Sequence, residues 1–138
     1  MEIKPNPVLV GSSVFITLPA VLYFQQEQYI RGSIILACSA VSIAWHSTKP
    51  RYNWILIADM ILANTMAVLA AESAMMSLPY SAIPFSLFMA KALILYYYGY
   101  QNACFCWNPD VAISTRWHAW LHIANSILAA WLIATPKN

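Results

Sequence analysis

Charge is scarce in this chain. Asp, Glu, Lys and Arg make up only 9% of its 138 residues, against about a quarter in an ordinary soluble domain. A large core does not account for the deficit, because a chain this short leaves much of its surface in contact with its solvent. With 61% hydrophobic and 14% aromatic residues, that solvent is expected to be mostly lipid. The formal net charge of +2 is too small for a nucleic-acid-binding surface. Cysteine is also sparse, and Cys38, Cys104 and Cys106 are odd in number, which excludes a disulfide framework. There is no internal repeat and no low-complexity linker, so residues 1–138 are expected to form a single transmembrane domain. A cleavable signal peptide is not expected, because Pro19 breaks the first apolar stretch and no small-residue cleavage site precedes Gln25.

What is abundant is long apolar runs. A spanning helix needs about 20 mostly apolar residues at about 1.5 Å rise each, and five segments approach that length: 7–24, 29–46, 54–71, 80–100 and 115–135. Each run is continuous rather than alternating, and helices satisfy their own backbone groups inside lipid, so the spacing predicts an all-α, polytopic membrane bundle rather than strands. Polar stretches end the runs: Gln25 to Gln28 after the first, Ser47 to Arg51 after the second, Glu72 after the third. Pro79 and Pro84 introduce the fourth, and the connector at 101–114 is expected at the interface. Five passes place the termini on opposite sides. Lys4, Lys49, Arg51 and Arg116 then share the N-terminal side, against Arg31 and Lys137 on the other. That bias predicts a cytoplasmic N-terminus, and Trp45, Trp54, Trp107 and Trp117 crowd the same side as an aromatic belt would.

Ionisable groups within spans are expensive to insert and mark function by default. His46 ends the second span with Ser42 one turn before it, Asp59 lies early in the third, and His118 and His122 open the fifth. A spacing of four puts Ser42 with His46, and His118 with His122, on common helix faces. The up-and-down order brings all five residues to one depth near the N-terminal side. Three neutral imidazoles suit zinc with a fourth position left for water, whose pKa the metal lowers to about 7. Asp59 is then the acid/base that takes and returns the proton, and Ser42 the polar group that positions water or oxyanion.

Ser42-x-x-x-His46, Asp59 in the next span and His118-x-x-x-His122 in the last resemble the signature of the CREST superfamily, which includes alkaline ceramidases and the progestin and adiponectin receptors. The stretch from Trp117 to Ile123 is similar to the last-helix motif of alkaline ceramidases. The resemblance covers five residues on three spans. It implies an intramembrane zinc hydrolase acting on a lipid amide or ester, with His46, His118 and His122 as ligands. Members of that superfamily have seven spans where five are read here, so a second copy of the chain is a candidate for the missing wall, making a homo-oligomer.

Other readings stay open at this level. The histidines also suit interfacial hydrogen bonding, a zinc-stabilised receptor or scaffold without catalysis, or axial ligation of haem. An unpaired Asp59 would cost about 2.5–3.5 kcal/mol to insert, unless it pairs with Arg51 or Arg116. Lys91, midway along the fourth span, has three readings: pairing with Glu72, snorkelling to an interface, or lining a substrate cavity that receives an anionic headgroup. Cys104 and Cys106 suit metal ligation, acylation or simple interfacial packing, and Tyr96, Tyr97 and Tyr98 face every side of their helix as packing or belt.

Overall fold

A computed structural model describes residues 5–48 and 53–137. Lys4, Lys49 and Arg51, which carry much of the expected charge bias, lie outside the described residues. Those described form helices and turns with no strand among them.

The first apolar run is two helices, α1 (Pro7–Val14) and α2 (Thr17–Gln25). Asn6 caps α1 by accepting the Leu9 N–H, and Pro7 occupies the first turn, where its missing N–H is not needed. The break at Phe15 and Ile16 follows from Pro19, whose ring presses on the carbonyl four residues earlier and which donates no hydrogen bond. A turn with Glu27 in the left-handed region (φ 59°) leads into α3 (Tyr29–Thr48). Then come α4 (Asn53–Met75) and α5 (Ala82–Ala92). A π-helical turn (Leu93–Tyr98) and α6 (Gly99–Asn102) continue α5, and a 3₁₀ turn (Phe105–Trp107) precedes α7 (Val111–Ala134).

Two of these helices outrun the expected spans. α4 continues past Ala71 because Glu72 accepts a 2.6 Å charged hydrogen bond from Arg31 of α3, so its charge does not end the helix. α7 begins at Val111 because Asp110 caps it, accepting from the Ala112 and Ile113 N–H groups.

Four helical stretches, Pro7–Gln25, Tyr29–Thr48, Trp54–Met75 and Ala82–Trp107, are long and apolar enough to cross a bilayer. The outside of the bundle agrees: Ile30, Trp54, Val68 and Ile83 are each more than three-fifths exposed, a surface suited to lipid rather than water. α7 is not among the four, although it has 24 residues. It packs against α1, α2, α4, α5 and the 3₁₀ turn, so much of it faces protein. Ala119, His122, Ser126, Ala129 and Ile133 form its buried face at helical spacing, and the small residues let neighbouring backbones approach.

Apolar packing gathers toward the C-terminal half of α7. Ile16, Ala20, Tyr23, Ile35, Cys38, Met66 and Ile133 form one cluster, and Ala70, Ala74, Phe88, Ala129 and Leu132 another. Polar contacts close that end. The Gln26 amide donates to the Ile133 carbonyl at 2.9 Å, and Tyr23 contacts Ser73 at 3.3 Å. Lys137 reaches the Ser73 and Leu132 carbonyls there. Burial lowers the pKa of its ammonium, the Arg31 charge adds to this, and Glu72 opposes it. At the other end Asn6 touches α3 and α7, so Asn6 and Lys137 lie at opposite ends of the bundle.

The 3₁₀ turn is tied to the helix before it by a close backbone approach. Gly99 accepts the Cys104 N–H at 3.0 Å, and a side chain at Gly99 would come within 2.8 Å of the Cys104 carbonyl oxygen. Phe105 of that turn stacks edgewise on Trp117 of α7 at 4.9 Å. Gly99→Ala is expected to destabilise the bundle by about 1–3 kcal/mol, as overpacking against backbone does. Unfolding in detergent micelles measures it, and an unshifted transition would contradict the tight approach.

Candidate metal centre

His46 lies near the C-terminal end of α3, and His118 and His122 sit one turn apart in the first half of α7. The three rings are mutual neighbours. Centroids are 5.2 Å apart for His46 and His118, 5.4 Å for His46 and His122, and 4.7 Å for His118 and His122. One nitrogen from each falls within 4.8 Å of the others. His46 is 2% exposed and His122 9%.

This donor set fits a metal ion. Zinc–nitrogen bonds of about 2.0–2.1 Å in a tetrahedron put neighbouring donors about 3.4 Å apart, against separations of up to 4.8 Å here. Imidazole nitrogen also suits copper, iron and nickel, so the donors alone do not select zinc.

α1 supplies the layer behind the rings. Ser12 Oγ stands 3.0 Å and Ser13 Oγ 3.3 Å from His122 Nδ1. Ser13 Oγ is also 3.0 Å from Ser42 Oγ, and the Ser39 hydroxyl donates to the Ser13 carbonyl at 2.9 Å. Ser12, Ser13, Ser39 and Ser42 are all buried. The half-buried Asp59 carboxyl of α4 faces the Ser42 hydroxyl. Asn6 holds the rim: its N–H donates to the His46 carbonyl at 3.1 Å, and its side-chain amide donates to Thr115 Oγ1 at 3.0 Å. One residue thus joins the ends of α1, α3 and α7.

Of the residues singled out in the sequence, His46, His118 and His122 come together as a single group. Ser42 reaches that group through Ser13, and Asp59 stands beyond Ser42. Cys104 and Cys106 are not part of the group. The Lys91 ammonium lies 4.7 Å from the Phe88 ring centroid and close to the Cys106 thiol. Glu72, one candidate partner for it, is engaged by Arg31. Sequence reasoning missed Asn6, Ser12 and Ser13. The available signal was a pair of adjacent serines in an otherwise apolar run, at the depth where His46 and His118 were expected.

No family model matches the chain, and neither a curated protein nor a solved structure does so.

Asn6→Ala removes the helix cap and the side-chain tie to Thr115, and leaves the backbone N–H bond to the His46 carbonyl in place. A loss of about 0.5–2 kcal/mol of stability is expected from the cap alone. Thermal unfolding checks this, and no change would mean that the Asn6 side chain contributes nothing to holding α1.

Proposed function

We propose that this chain is an integral membrane, zinc-dependent hydrolase that cleaves the amide or ester bond of a lipid. The convergence of His46, His118 and His122 is the observation that carries the reading. Ser42, linked to His122 through Ser13, Asp59 next to Ser42, and the similarity of this residue set to alkaline ceramidases support it further. Zinc held by the three imidazoles would supply Lewis acidity toward a carbonyl oxygen and would bring the pKa of a bound water to about 7.

The chain's own groups do the rest. Asp59 accepts a proton from the attacking water at a carboxylate oxygen and returns it to the leaving nitrogen or oxygen as the carbonyl carbon–heteroatom bond breaks. Ser42, between Ser13 and Asp59, orients the water or the developing oxyanion. The five helical passes are read as five spans with a cytoplasmic N-terminus, so the site opens toward the cytoplasmic leaflet. A second copy of the chain is the candidate for completing the substrate cavity.

Mutual contact of the three rings leaves no space for a porphyrin between them, which disfavours the haem reading. Asp59 separates a hydrolase from a zinc-stabilised scaffold. Purified protein is expected to carry one zinc per chain, and His118→Ala to lose both the metal and lipid-amide turnover. Asp59→Asn is expected to keep the zinc and lose about 10²–10⁴-fold in rate. Full turnover by Asp59→Asn, or a zinc-free wild type, would contradict the proposal.

Lys91 is our candidate contact for an anionic part of the lipid. Its ammonium is buried and makes no hydrogen bond within the described residues, and an intramembrane ammonium is costly unless it is used. Lys91→Met is expected to raise KM for lipids with an anionic headgroup and to leave neutral ones unaffected. An equal effect on both classes would remove Lys91 from substrate binding.

A further inference from the structure

Hydrogen-bond valence at Ser12 and Ser13 bears on which nitrogen of His122 carries the ring proton. A serine hydroxyl has one proton to donate and lone pairs to accept with. Ser12 donates to the Leu9 carbonyl at 3.0 Å, and Ser13 donates to the same carbonyl at 2.8 Å. Ser13 lies closer to that carbonyl than to His122 Nδ1, at 2.8 against 3.3 Å, and Ser12 is 3.0 Å from each. With both protons kept inside α1, the two oxygens accept at His122 Nδ1, and the nitrogen facing them is the donor.

We propose that Ser12 and Ser13 are positioning residues that hold His122 in its Nδ1–H form, leaving the Nε2 lone pair as the ligand atom; the ligand role rests on the metal-centre reading above. Ser13 Oγ also stands 3.0 Å from Ser42 Oγ, which ties the same layer to α3. The bond from Ser39 to the Ser13 carbonyl fixes the depth at which α1 presents both oxygens. His122 also has its backbone carbonyl engaged, accepting from Ser126 at 2.7 Å. Outer-layer partners of this kind fix the tautomer and orientation of a metal-binding imidazole, and losing them costs about 10–100-fold in metal affinity.

The test uses the full chain in detergent micelles with ¹⁵N-labelled histidine, first without metal. Long-range nitrogen–proton correlation spectra are expected to show His122 protonated at Nδ1. In Ser12→Ala with Ser13→Ala, the Nε2–H form is expected to appear. Zinc affinity, measured with zinc alone against a competing chelator, is expected to fall 10–100-fold. Ser12→Thr, which keeps a hydroxyl, is expected to retain the wild-type spectrum. An Nε2–H wild-type spectrum overturns the proposal even if the double variant fails to fold. So does a folded double variant with unchanged spectrum and affinity. Nδ1–H in a wild type that binds no zinc overturns the metal-centre reading instead, while the tautomer assignment holds.

Discussion

α3 and α7 carry all three imidazoles, yet their backbones approach each other little. Each leans on α1, and α1 sets their relative height. Asn6 reaches the His46 carbonyl on one helix and Thr115 on the other. About two turns further along α1, Ser13 reaches Ser42 and His122. Those contacts pin the helices at two depths, leaving them little freedom to slide. A slip of one helical turn, about 5.4 Å, would move His46 beyond reach of His118 and His122. The rest of the bundle serves this constraint, since apolar packing at the opposite end fixes the lateral positions and leaves the polar end to set the register.

That polar end is stable in an apolar solvent because its groups answer one another. Inside a bilayer no water is on hand to satisfy an orphaned hydroxyl or imidazole, and a network whose members are all paired is rigid where a partly paired one is costly. The serines of α1 donate back to their own helix while their oxygens face outward to His122 and Ser42. Each serine thereby meets its own needs and supplies an acceptor to a neighbour. Small side chains also let α1 come close enough for these contacts.

Much of the architecture was legible in the sequence, because lipid imposes a simple rule on composition. The apolar runs marked the helices, and the spacing of four identified Ser42 with His46 and His118 with His122 as shared faces. Up-and-down order then brought those faces and Asp59 to one depth. What escaped was whatever depends on local geometry rather than periodicity. Pro19 is visible in the sequence, but its effect falls four residues earlier, at Phe15. Glu72 read as a helix end because its partner, Arg31, is distant along the chain. The π-helical turn over Tyr96 to Tyr98 has no mark in an apolar run. Ser12 and Ser13 were passed over because serine in a membrane helix commonly bonds its own backbone. They do that here as well, and it is the reason their oxygens are left to accept.

The central claim is that three imidazoles share one metal ion. X-ray absorption at the zinc edge of the purified, zinc-loaded chain tests it most directly. The expected first shell is three nitrogen neighbours of imidazole character at about 2.0–2.1 Å with one further light atom. A sulfur neighbour at about 2.3 Å would move the metal to the cysteines, and a shell of light atoms without imidazole scattering would mean that the histidine cluster holds no metal.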